Sequence, residues 1–140
     1  MQDLQYRLTE QEDPDNYAVI QFGMESAGME AASTVSRHPV NVYGYERDSL
    51  VAGLIGYTVG AAFVIRSLWV ESSFRSNGVA RRMLSKAENE AQGRGAKICF
   101  IDMMSYQSPD FFVKIGYEEV TRVPGFHDEH DRIFLKKNLG

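Results

Sequence analysis

The segment Leu68-Trp69-Val70-Glu71-Ser72-Ser73-Phe74-Arg75-Ser76-Asn77-Gly78-Val79-Ala80 carries the residues whose order could do chemistry. An apolar run ends, a polar stretch turns, and a glycine opens an amphipathic stretch. If that last stretch is helical, its first turn leaves backbone N–H groups unpaired and aims the positive dipole end into the loop. Such a corner suits a pyrophosphate, because Gly78 lets the backbone approach closely with no side chain in the way. Arg75 and Arg81 add positive charge there, although Arg81 also reads as a solvated helix residue.

The other reactive group is Cys99, the one cysteine of the chain. An intramolecular disulfide is therefore impossible. Cys99 lies inside the apolar run Ile98-Cys99-Phe100-Ile101, so a buried structural thiol is expected rather than a nucleophile.

The elements that must position these groups follow from periodicity and turn residues. Leu4 to Leu8 alternates and reads as a first strand. Pro14 starts a helical stretch over Tyr17 to Ala32, expected to break into two short helices around Gly28. Val40–Glu46, Leu50–Val59 and Ala62–Val70 form an antiparallel meander, joined at Arg47-Asp48-Ser49 and Gly60-Ala61. From Gly78 a long helix presents Val79, Ala80, Met83, Leu84, Ala87 and Ala91 on one face, and Gly93 and Gly95 stop it. Lys97–Met103 is a buried strand. Ser108-Pro109-Asp110 caps a short helix ending near Gly116, and Tyr117–Val123 and Asp131–Asn138 are the last strands. The expected fold is mixed α/β, one domain over residues 1–140. Its central sheet has six to seven strands and about four helices, with a parallel, right-handed strand–helix–strand crossover.

Arg75-x-x-Gly78-x-Ala80 is similar to the Q/R-x-x-G-x-G/A signature of the GNAT superfamily of bacterial-type, acetyl-CoA-dependent N-acetyltransferases. Phe111-Phe112-Val113-Lys114-Ile115-Gly116-Tyr117 resembles the family's F-Y-x-K-x-G-F/Y segment. His130-Asp131-Arg132-Ile133-Phe134-Leu135-Lys136-Lys137 resembles a bacterial subgroup ending in H-x-R-x-F-L-K-K. The resemblance covers roughly Leu50 to Leu139. It implies that the strand before the loop splays from its parallel neighbour and that pantetheine lies in the gap. Leu68 and Val70, flanking Trp69, would bond pantetheine through their backbone, with the Leu68 N–H on the thioester carbonyl. The amides of Ser76, Asn77, Gly78, Val79, Ala80 and Arg81 would hold the pyrophosphate. Ser105 stands where many members place a CoA-contacting Asn.

One departure matters. The family's general acid, a Tyr that protonates the departing CoA thiolate, is here Phe112, which has no proton to give. Phe112 keeps its place beside the cofactor, and Tyr106 near the same helix is the substitute candidate, with a covering role over CoA as the alternative. The amine must arrive deprotonated. Glu71 and His130 are the candidate bases, each with a structural reading as loop charge or turn residue, and His38 and His127 are weaker ones.

The remaining expectations are broader. The 140 residues are 44% hydrophobic and 24% charged, with net charge -4, which suits one globular domain and argues against a nucleic-acid binder. The apolar stretch Val51–Ile65 is shorter than the roughly 20 residues a membrane helix needs. It carries three glycines and reads as two strands and a turn. No signal peptide is expected, and a cytoplasmic location follows by default. Gln21, Met24, Glu25, Met29, Glu30, Phe126, His127, Asp128, Glu129 and His130 are placed to meet the acceptor. Their acidic members hint at a cationic amine, small or lysine-bearing. A homodimer is left open. The rival to an acetyl-CoA-dependent enzyme is a module of the same fold that binds or senses acyl-CoA without turnover.

Overall fold

Gly60 and Ala61 turn one apolar strand back on the next. Gly60 takes a left-handed φ of 54° that suits glycine. Together with the turn at Arg47-Asp48 this folds β1 (His38–Glu46), β2 (Ser49–Val59) and β3 (Ala62–Val70) into an antiparallel meander. The structure, a computed structural model, describes residues 3–31 and 36–140, without the side chains of residues 28–31. Contacts cluster the chain into two units, Met1–Val35 and Ser36–Gly140.

In the first unit α1 runs unbroken from Pro14 to Ala31. The Asp13 carboxylate accepts from the Asn16 N–H at 3.0 Å, a side-chain cap at the helix start. The break expected at Gly28 does not occur. A glycine inside a helix costs about 1 kcal/mol relative to alanine, less than the loss of a hydrogen-bonded turn on each side. Residues 3–9 are not a strand either, and Leu4, Tyr6 and Leu8 are exposed. Alternation supplies a face, but a strand also needs a neighbouring ladder.

In the second unit α2 (Val79–Gly93) carries the chain from β3 to a parallel β4 (Ile98–Met104). After α3 (Pro109–Lys114), β5 (Glu118–His127) and β6 (His130–Asn138) form a hairpin whose β6 arm lies antiparallel to β4. The six strands run in the order β1-β2-β3-β4-β6-β5. The described residues thus hold six strands and three α-helices, with a 3-10 turn at Ser72–Phe74, at the lower edge of the sequence expectation. No helix among them is long and apolar enough to cross a membrane.

One face of the sheet makes the core. Leu54, Phe63, Ile65, Cys99, Ile101, Ile133 and Leu135 pack with Leu84, Ala87 and Ala91 of α2 and Phe112 of α3. Each fully buried side chain of this size contributes about 1.5–3 kcal/mol. Along one edge of the core, Glu88 of α2 accepts from the Tyr117 hydroxyl at 2.7 Å and from Lys137 Nζ at 2.9 Å. Beside this group burial pushes the Cys99 thiol up to about 11 and pushes the Tyr117 phenol up as well.

Both groups stay protonated in the fold above the pH at which the unfolded chain would lose the proton. The Cys99 contribution is therefore complete below the unfolded thiol value of 9.0 and is lost as pH rises toward about 11. Denaturant midpoints are expected to fall across that window, and Cys99→Ala should flatten the slope. An unchanged slope in the variant would place the loss elsewhere.

Candidate active site

The cleft begins where two strands part. β3 and β4 pair only from Ala62/Ile98 to Ile65/Ile101. Against β2, Ile65 sits opposite Gly56 and Ser67 opposite Ile55, so Arg66 is an extra residue in a β-bulge. A bulge bends its strand and ends regular pairing. Gly56 makes it possible: a Cβ there would lie 2.6 Å from the Val64 carbonyl oxygen and 2.8 Å from the Phe63 ring. Beyond the bulge β4 pairs with β6 alone through Asp102–Met104, which leaves the facing edge of Leu68–Val70 without a ladder partner. The gap opens into a cleft of roughly 760 Å³. The splayed parallel pair is as the resemblance implied.

The far end of the cleft is the Gly78 corner. Arg75 Nε donates to the Val70 carbonyl at 2.9 Å and ties the loop back to the strand end. Ser76 and Gly78 both take left-handed φ, 66° and 76°. Gly78 occupies the N-cap position of α2 and no side chain caps it, so the first-turn amides of the helix remain available. Leu68, Trp69, Val70, Arg75, Ser76, Gly78, Val79, Ala80 and Arg81 all line the cleft, as do Tyr106 and Phe112. Asn77 does not.

Three other expected residues also stand outside the lining. Glu71 closes the 3-10 turn: its carboxylate accepts from the Ser73 hydroxyl and from the Ser73 N–H at 2.9 Å. Those bonds hold its pKa below the usual carboxylate value. In this structure the Glu71 side chain thus caps the 3-10 turn. Ser105 bridges to Asp131, donating its N–H to the Asp131 carbonyl and accepting the Asp131 N–H on its hydroxyl at 3.0 Å. Its hydroxyl accepts there and keeps its own O–H to donate. His130 is half-buried behind Tyr106, the two rings edge to face at 5.0 Å.

Phe112 is buried between Phe111 and Tyr117, edge to face with both at 5.2 and 5.3 Å, and still borders the cleft. Tyr106 is exposed at the cleft wall. Asp128 and Glu129 form the β5–β6 turn and are not in the lining. Gln21, Met24 and Glu25 lie on α1. Met29 and Glu30 lie outside the described side chains. His38 stands at the start of β1 and bonds Ser36, and His127 is exposed beside Asp128.

Residues that sequence reasoning missed also line the cleft: Arg66, Ser67, Phe74, Asp102 and Gln107. Ser108 is the helix cap expected from the sequence. It holds the N-cap position of α3 in a left-handed conformation, and its hydroxyl makes no cap bond. Glycine inside a strand marks a bulge or a close backbone approach, so Gly56 carried a signal for Arg66 and Ser67. Asp102, the one carboxylate in the described lining, pairs with Arg132 across the β4–β6 register.

Residues 5–117 match the acetyltransferase (GNAT) family. The chain belongs to that family and is an enzyme of the N-acetyltransferase class. It is 27% identical to a blasticidin-S acetyltransferase of Streptomyces morookaense over 93 residues, which are 63% of this chain and 68% of that protein. A solved structure from Agrobacterium tumefaciens, described as an acetyltransferase, superposes with a TM-score of 0.92 at 20% identity, over 96% of this chain and 99% of that one. An aminoglycoside 6'-N-acetyltransferase complexed with coenzyme A superposes at 0.67 with 17% identity, over 93% and 96% of the two chains. At such identities the solved structures speak for the fold.

Proposed function

We propose that this chain, acting as one catalytic domain, transfers the acetyl group of acetyl-CoA to an amine by direct attack in a ternary complex. The observation that carries the reading is the junction of the parted β3–β4 edge with the uncapped Gly78 corner in one cleft. The pyrophosphate takes the first-turn amides of α2, with Arg81 alongside and Arg75 bracing the loop. Pantetheine runs along Leu68–Val70 as a surrogate strand, and the Leu68 N–H polarises the thioester carbonyl.

The amine nitrogen attacks the carbonyl carbon, the C–S bond breaks, and CoA leaves as thiolate. An ammonium like that of lysine has a pKa near 10.4, so its deprotonation near neutral pH costs about 4–5 kcal/mol. With Glu71 committed to its turn, His130 or a relayed water takes that proton, and Tyr106 protonates the thiolate. Cys99 takes no part, because its thiol is buried and holds its proton far above neutral pH.

A panel of amines assayed for CoA thiol release, with acetylated product confirmed by mass, tests the reading. Cys99→Ala is expected to retain turnover with modestly lowered stability. Acetyl-Cys99 recovered from a quenched reaction, with activity lost in the variant, would overturn direct attack.

A further inference from the structure

The register that splays the strands also brings a guanidinium and a carboxylate to the point where they part. The last paired residues are Ile65 and Ile101, so Arg66 and Asp102 come next on their parallel strands. Ile65, Ile101 and Met103 pack into the core, so Arg66 and Asp102 turn to the other sheet face, and both line the cleft. Yet the two do not pair with each other. Asp102 is bonded to Arg132 of β6, whose guanidinium also lies over the Phe126 ring at 5.7 Å. Asp102 being the one carboxylate of the described lining, this leaves Arg66 without an acidic partner among the described residues. The other two guanidinium groups of the lining are used at the far end of the cleft. Arg75 ties its loop to the Val70 carbonyl, and Arg81 lies in the first turn of α2 at the Gly78 corner. Arg66 stands four residues back along β3 from Val70, about 13 Å, with its side chain directed off the sheet. It is too far from that corner to share the pyrophosphate.

We infer that Arg66 anchors the acceptor: it binds the carboxylate of an aminocarboxylate, a compound of the amino-acid kind, whose amine is thereby held against the thioester. The planar guanidinium fork matches a carboxylate with two parallel hydrogen bonds. Arg66, Asp102 and Arg132 together leave one positive charge unbalanced at the apex of the cleft, which a monoanion offsets. A phosphate monoester, with a charge of about -1.5 to -2 at neutral pH, exceeds it. Arg132 has a part in this, because by holding Asp102 it keeps Arg66 open for the ligand. The Leu68 amide lies two residues further along the same strand, about 6.6 Å. A carboxylate on the Arg66 fork, with an amine a few bonds away, spans that distance. The inference rests on the acetyl-transfer reading and names the acceptor class for it.

The test offers each common L-amino acid, β-alanine and 4-aminobutyrate beside its own carboxamide, with acetyl-CoA, and reads acetylated product by mass. A neighbouring carboxylate makes an amine harder to deprotonate, so chemistry alone favours the carboxamide. A preference for the free acid therefore reports the anchor. For the acids that are acetylated, kcat/KM is expected to exceed that of the matching carboxamide about tenfold or more, the usual scale of a charge-assisted pair. In Arg66→Gln that ratio should fall to about one, while the acetyl-CoA thermal shift stays as in the wild type and shows that the fold and the cofactor corner are intact. Arg66→Lys keeps the charge without the fork and should restore part of the ratio. Carboxamides turned over as fast as the acids, or a ratio unchanged in Arg66→Gln, would overturn the anchor. So would acetylation of other amines with none of the aminocarboxylates, a result that leaves the acetyl-transfer reading standing. No acetylation of any amine would sink that reading and this inference with it.

Discussion

Gly78→Glu is expected to remove nearly all of the stabilisation that acetyl-CoA confers on the wild type. A ligand at 100 times its dissociation constant raises folding stability by about 2.7 kcal/mol, a shift of several degrees in Tm for a domain of this size. Gly78 sits at φ 76°, where a side chain costs about 1–2 kcal/mol. Its Cβ would lie 3.1 Å from the Arg82 guanidinium, the mobile end of a long side chain. The new carboxylate meets the positive end of α2 and Arg82, which offsets part of the strain and keeps the fold intact. It then occupies the first-turn amides and repels the pyrophosphate by charge. Gly78→Ala separates the two effects, because it brings the strain without the charge and should lose less of the ligand response. Thermal melts with and without saturating acetyl-CoA measure this directly. Equal shifts in wild type and Gly78→Glu would move the pyrophosphate away from this loop.

The second large effect concerns the leaving group. Tyr106→Phe is expected to lower kcat by about 10²-fold or more, the usual contribution of a positioned general acid, with little change in the KM for acetyl-CoA. That pattern marks an interaction made in the transition state. Phe112→Tyr places a hydroxyl where the family ordinarily carries one. It should raise kcat, most visibly in the Tyr106→Phe background. Phe112 is 4% exposed and packed edge to face on two rings, so the added oxygen fits only if it points into the cleft that this residue borders. Near-normal turnover in Tyr106→Phe would mean that the thiolate departs unaided, which a thiol pKa of about 8.5 allows. If wild type and Phe112→Tyr both bind acetyl-CoA and acetylate nothing across a broad amine panel, a binding module without turnover becomes the better account.

The Gly78 corner was legible because its geometry is local. Arg75, Gly78 and Ala80 fall within six consecutive positions, and what they do depends on a strand end, a turn and a helix start that the same segment encodes. The meander was legible for a similar reason: Gly60 and Arg47-Asp48 set the turns, and the alternation between them sets the faces. The catalytic side was much less legible. Glu71 carries the right functional group and stands beside the right strand. Whether it is a base or a cap depends on which donors come within 3 Å, and here Ser73 supplies them. Ser105 is tied to β6 by Asp131, 26 residues further along the chain, which takes its N–H and donates to its hydroxyl, a pairing that no local pattern encodes.

The amino-acid sequence by itself determined the class of this protein, the order of its sheet elements after residue 38, the glycine that opens α2 and the absence of a phenol at position 112. The class follows from the likeness of its motifs to those of a known family, and the rest from short-range rules: periodicity, turn residues and the conformational freedom of glycine. Tertiary structure decided the rest. The bulge at Arg66 opens the cleft because Gly56 lets the neighbouring backbone close in from another strand. Tyr43, Gly53 and Trp69, far apart in the chain, lie side by side because two registers align three strands. Leu4 to Leu8 alternates as a strand should and is not one, because pairing belongs to two segments together and no single segment can encode it.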